Sequence, residues 1–108
     1  MLSHNVFFTL RDSSQAAVEA LLSSCNSNLR DHEGVVFFGA GVLEPGLERP
    51  VNDQGFHVAL HVVFSDRAAH DLYQVAPEHL AFIEENEHNW EKVRVFDSSV
   101  SGGAGRSD

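Results

Sequence analysis
The sequence predicts an α+β domain in which one four-stranded antiparallel sheet carries its helices on a single face. Three observations lead there. Four short segments are rich in β-branched and aromatic residues, two other segments have helical periodicity, and together they run in the order β-α-β-β-α-β. That order is the split βαβ arrangement of ferredoxin-like folds. A chain of 108 residues holds one such domain around one core.

The first strand is His4–Arg11, HNVFFTLR. Alternation puts His4, Val6, Phe8 and Leu10 on one face and Asn5, Phe7, Thr9 and Arg11 on the other. Asp12, Ser13 and Ser14 offer capping oxygens to a helix over about 14–28, whose Val18, Leu21, Leu22, Cys25 and Leu29 recur at helical spacing. Gly34 ends that pattern. A second strand follows over Val35–Leu43, with Gly39 and Gly41 on one face, a sign of a bulge or of another surface approaching closely. EPGLERPVNDQ, with its two prolines, is a long loop.

The third strand, FHVALHVVF, has a fully apolar face of Phe56, Val58, Leu60, Val62 and Phe64, expected to meet the helices. His57, Ala59, His61 and Val63 share the other face. Ser65-Asp66 caps a second helical region over 66–74, resumed over 78–89 after Pro77. A proline costs about 3 kcal/mol inside a helix, so a kink or two helices is expected there. The last strand is Lys92–Asp97. The folded domain is thus expected over 1–97, followed over 98–108 by a disordered tail rich in glycine and serine.

Helices on one side leave the other sheet face, with Phe7, Val63 and part of the second strand, uncovered. A bare, partly apolar face calls for a partner, and a two-fold homodimer packed sheet to sheet satisfies it.

Composition narrows the function. With 43% hydrophobic and 21% charged residues the chain is ordinary for a globular protein, and a formal charge of −9 argues against nucleic acid. No apolar run approaches the roughly 20 residues of a membrane-spanning helix. The start MLSHNVFFTLR lacks the pattern of an export signal, which points to the cytoplasm. With Cys25 as the one cysteine there is no disulfide within the chain and no thiolate zinc site. No phosphate loop, nucleophile elbow or HExxH motif is present, so neither cofactor nor metal is expected.

VFFTLRD after His4, GFHVALHVVFSD, LYQVAPEHLAFI and WEKVRVFD together resemble the stress-responsive A/B barrel domain family, over about residues 3–97. The resemblance implies a ferredoxin-like protomer and a dimer whose two sheets close a barrel. It also implies a stress-induced protein, in a family that includes olivetolic acid cyclase-like enzymes needing no cofactor. In those enzymes a tyrosine and a histidine form the catalytic pair, and Tyr73 and His79 match their spacing. His4 matches a pocket histidine of the first strand. Val58 stands where a third-strand pocket histidine would be, and Ala76 where the first histidine of the proline turn would be.

Chemically, His79 can take a proton from an activated carbon while Tyr73 donates to the developing enolate oxygen. Alternatively, Tyr73 packs at the helix–sheet interface and His79 braces the break at Pro77. His4, Phe8, Val58, Leu60 and Phe82 are the expected lining of any ligand pocket, with His4 either orienting the ligand or bonding nearby backbone. Phe8, Phe82 and Trp90 are bulky enough to leave that pocket narrow or closed. His57 and His61, about 13 Å apart on one strand, cannot share a metal ion and suit an interface. His32, His70 and His88 are expected in solvent, as is the run Glu84–Glu87. Cys25, within an apolar stripe, is expected to be inert. The leading expectation is a stress-response homodimer that binds a small hydrophobic molecule between helices and sheet. The alternative is a cofactor-independent polyketide cyclase-like lyase, and a third is a robust structural dimer.

Overall fold
Local capping chemistry sets where each helix starts. Ser14 Oγ accepts from the Ala17 amide at 3.3 Å and Asp66 Oδ1 from the Ala69 amide at 2.9 Å. The structure, a computed structural model, describes residues 1–102. It comprises β1 (Leu2–Leu10), α1 (Gln15–Asn28), β2 (Val35–Val42), β3 (Val58–Phe64), α2 (Arg67–Val75), α3 (Pro77–Asn86) and β4 (Trp90–Ser99), with a 3-10 turn over Glu87–Asn89 before β4. The strands form one antiparallel sheet in the order β2-β3-β1-β4. This is the ferredoxin-like arrangement.

The proline splits the second helical region into two helices. Ala76, the residue before it, takes an extended conformation with ψ 143°, and Pro77 opens α3 at the position where its missing amide costs nothing. Gly34 joins α1 to β2 with φ +88°, and a Cβ there would come within 2.4 Å of Ala69 Cβ. Both the left-handed turn and the close approach of α2 therefore require glycine.

Strand parity divides the sheet as expected. His4, Val6, Phe8 and Leu10 of β1 and Val58, Leu60, Val62 and Phe64 of β3 are buried under the helices, where Leu21, Cys25, Leu29, Tyr73 and Phe82 meet them. Phe56 departs from this pattern. β3 begins at Val58, not at Phe56, because the chain bends at His57 to cross the end of β1. There the His57 amide donates to Phe8 O at 2.8 Å, and the Leu10 amide donates to His57 Nδ1 at 3.0 Å. The Phe56 ring is thereby carried to the side away from the helices, 5.0 Å from the Phe7 ring. His57 is accordingly held by backbone, whereas His61 does lie on the open face, its Nδ1 2.7 Å from Asn5 Oδ1.

The irregularity of β2 falls at Val36, ahead of the two glycines. Gly39 and Gly41 pair with His61 and Ala59 on the open face, where the Phe37 ring lies over Gly39. The β2–β3 loop is tied down by Thr9 Oγ1 donating to Gly55 O at 2.6 Å and by the ion pair of Arg94 Nη1 with Asp53 Oδ2 at 2.5 Å. Phe37 and Phe96 remain more than half exposed on the open face, at 56% and 54%.

β4 reaches Ser99, two residues beyond the expected end of the domain, and Val100 donates to Met1 O at 2.9 Å. Of the expected tail, residues 103–108 lie outside the described residues. Among the described residues no helix is long and apolar enough to cross a membrane.

Candidate functional site
Tyr73 sits on the sheet-facing side of α2, 2% exposed, with its ring 4.9 Å from that of Phe64. The break at Ala76-Pro77 redirects the chain, so His79 in the first turn of α3 comes back against it. The two ring centroids are 4.8 Å apart. From the sheet, His4 approaches Tyr73 with ring centroids 6.2 Å apart. Trp90, which opens β4, packs against Phe8 at 5.0 Å and Phe82 at 5.7 Å.

Between these groups lies a cavity of about 180 Å³. His4, Phe8, Leu60, Tyr73, His79 and Phe82 all line it, together with Trp90. Val58 does not. It is fully buried in the core beside the cavity, so the strand-three position expected to face a ligand faces other side chains instead. Val93 and Val95 of β4 form the opposite wall, and both are partly exposed, which leaves that side open to solvent.

Three of the lining residues carry polar atoms that lack partners. Tyr73 Oη, His79 Nδ1 and Trp90 Nε1 are buried without a hydrogen bond among the described residues. A buried polar group left unpaired costs about 1–3 kcal/mol, so three at one apolar cavity need a reason. Burial pushes the Tyr73 hydroxyl pKa up and keeps it a protonated donor. Burial also lowers the His79 pKa, with the neighbouring His4, His32 and His70 adding to the effect. His79 is therefore a neutral imidazole at physiological pH, able to accept a proton.

Two of those neighbours are not where the sequence suggested. His32 is half-buried, its Nε2 donating to Asn28 O at 2.8 Å and its ring 5.1 Å from that of Tyr73. His70 packs 5.2 Å from the His4 ring and 5.6 Å from Phe64. Its place three residues before Tyr73 puts it on the same helix face, a signal present in the spacing. Nothing comparable marked His32. The hydrogen bond of His4 goes to a side chain and not to backbone: its Nδ1 is 2.5 Å from Asp97 Oδ1 on the adjacent strand. That partnership depends on the β1–β4 register, in which His4 and Asp97 are directly opposite.

The remaining candidates stay in structural roles. Burial pushes the Cys25 thiol up to about 12, and the side chain is fully enclosed. His88, Glu84, Glu85 and Glu87 are exposed, whereas Asn86 turns inward and donates to Ser24 Oγ at 2.8 Å.

Fold and site together define a ferredoxin-like α+β domain with a small apolar cavity between helices and sheet, lined by an adjacent tyrosine and histidine. The chain belongs to the stress-responsive A/B barrel domain family, whose sequence model matches residues 2–100. It is similar to a Dabb family protein with a ferredoxin-like fold from Mesorhizobium loti, at 26% identity and a TM-score of 0.76, over 94% of this chain and 97% of that one. A dimeric ferredoxin-like protein of unknown function from Thermobifida fusca is 15% identical with a TM-score of 0.76, over 92% and 90% of the two chains. A hydroxynitrile lyase from Passiflora edulis is 21% identical with a TM-score of 0.72, over 94% of each chain. Comparison with curated protein sequences gave no match.

Proposed function
We propose that this protein is a cytoplasmic stress-response homodimer whose helix–sheet cavity binds a small hydrophobic molecule bearing a carbonyl or similar acceptor group. The observation that carries this reading is the set of three unpartnered polar atoms, Tyr73 Oη, His79 Nδ1 and Trp90 Nε1, on residues lining one apolar cavity. At about 180 Å³ the cavity is smaller than the roughly 300–1,000 Å³ of drug-sized sites, so the buried part of the ligand is correspondingly small. A longer molecule would leave along Val93 and Val95. The single buried cysteine suits a reducing compartment. The dimer is supported by the exposed Phe37 and Phe96 on the sheet's open face and by the description of the Thermobifida fusca protein as dimeric.

A second reading, a cofactor-independent lyase of the polyketide cyclase kind, is favoured by the placement of Tyr73 and His79 side by side on one cavity, their ring centroids 4.8 Å apart. His79 would take a proton from the carbon beside a carbonyl while Tyr73 donates a hydrogen bond to the oxygen that gains charge. The proton would return from His79 once the new bond is made or broken. The Passiflora edulis likeness concerns the fold and brings no activity across.

Thermal shift with small aromatic and aliphatic keto acids tests the binding reading. We expect a rise in melting temperature that Tyr73→Phe and His79→Ala each diminish; a rise equal in both variants overturns it. Deuterium incorporation next to the carbonyl in heavy water, lost in His79→Ala, would support the lyase. For the dimer, sedimentation should show two chains in the wild type and one in Phe37→Asp/Phe96→Asp. A monomeric wild type at micromolar concentration ends that part of the proposal.

A further inference from the structure
We infer that His4, His70 and Asp97 form a binding site for a divalent transition metal ion of the Zn²⁺ class. Each side chain offers one ligand atom, and the three atoms lie within 4.8 Å of one another. They come from three different elements, β1, α2 and β4, so the cluster is a product of the tertiary structure and is not a run of neighbouring acidic residues. Two imidazoles and one carboxylate are a donor set that suits zinc, with room for a fourth ligand.

The local chemistry supports a cation at this point. His4 is 5% exposed and His70 has a side chain 15% exposed, so both imidazoles are already ordered by packing, against each other and against Phe64. His4 Nδ1 and Asp97 Oδ1 are 2.5 Å apart as a hydrogen-bonded pair. Two ligand atoms on a tetrahedral Zn²⁺ stand about 3.3 Å apart, so Asp97 would have to withdraw by about 0.8 Å. Its side chain is 44% exposed and free to do so. That exposure also leaves the water or exogenous ligand of the fourth position a path to solvent.

Asp71 adds an outer partner. Its Oδ1 is 3.0 Å from His70 Nδ1 and accepts that proton in one tautomer, leaving the lone pair on Nε2, where an ion would replace the 3.5 Å contact from Gln74 Nε2. Carboxylates in this relation to an imidazole fix its tautomer and orientation at metal sites. Arg67, the nearest competing cation on α2, is engaged by the same Asp71 at 2.8 Å. The formal charge of −9 favours a cation over the whole surface. The inference is independent of the proton-transfer reading, although His4 belongs both to this cluster and to the cavity wall.

Calorimetric titration of the chelator-treated full chain with Zn²⁺, and with Co²⁺ followed by its visible absorption, provides the test. We expect one ion per chain and a Co²⁺ spectrum showing nitrogen and oxygen ligation. His70→Ala and Asp97→Asn should each weaken binding at least by the roughly tenfold that loss of an outer-shell partner costs. His88→Ala, which alters an exposed histidine outside the cluster, should bind as the wild type does. No saturable binding overturns the inference, and so does binding that both cluster variants retain unchanged. Asp97→Asn alters an exposed side chain and keeps the test decisive should His70→Ala fail to fold.

Discussion
β3 and β4 present comparable apolar rows to the same side of the sheet, yet their surroundings differ. Val58, Leu60, Val62 and Phe64 of β3 are at most 2% exposed, whereas Val93 and Val95 of β4 are 38% and 50% exposed. The helix layer covers β3 and β1 and meets β4 at Trp90, where Phe82 packs 5.7 Å away, while Val93 and Val95 farther along that edge strand stay exposed. Central strand β1 lies between these regimes, so His4 and Phe8 have one flank in the core and the other at the cavity. The cavity is therefore a consequence of where the helix layer stops. The comparison also shows that apolar alternation reports which way a row points and not whether anything covers it.

Several substitutions would break or sharpen this contrast. The largest effect belongs to the covered row: Phe64→Ala should cost about 3–5 kcal/mol, measured by urea denaturation, because a fully enclosed aromatic leaves a cavity behind. A loss near that of a surface change would mean that the packing over β3 is looser than it looks. At the cavity the sign should reverse. Tyr73→Phe removes a buried hydroxyl that has no partner, and we expect the protein to gain about 1 kcal/mol while its response to carbonyl ligands falls. A loss of stability in Tyr73→Phe would mean that the hydroxyl is satisfied in solution and that the cavity is not built around it.

His79 gives a pH signature. Its folded pKa is lowered below the ordinary 6.5, so the unfolded chain takes up this proton at a higher pH than the folded protein does. Its contribution to stability is fully present above 6.5, declines as pH falls through that value, and levels off once the folded group is itself protonated. Wild type should therefore lose more stability than His79→Gln between about pH 7.5 and about pH 5.5, read from urea midpoints at each pH. Equal losses would place His79 in solvent. The smallest effect is expected on the uncovered row, where Val95→Ala should change stability by about 0.5 kcal/mol. A larger cost would show that β4 is covered in solution, by ligand or by partner.

Much of this was legible along the chain, for identifiable reasons. Strand alternation in β1 and β3 and the helical stripe of α1 set which residues face inward, because those periods are properties of the backbone. Pro77 announced the break between α2 and α3, whereas the nearness of His79 to Tyr73 was implied by the family resemblance alone. Phe56 was misplaced because alternation was carried two residues past the true start of β3, into a segment whose path is set by hydrogen bonds to β1. His70 was misread as solvated although its spacing from Tyr73 puts both on one helix face.

By itself the sequence determined the element order and the inward rows of β1 and β3, since each follows from local backbone geometry and side-chain periodicity. The tertiary structure alone decided that His4 meets Asp97, that His32 packs on Tyr73 and His70 on His4, and that Val93 and Val95 of β4 stay exposed. Those facts depend on strand register and on how far the helix layer extends, and both are set by packing between segments distant in the chain.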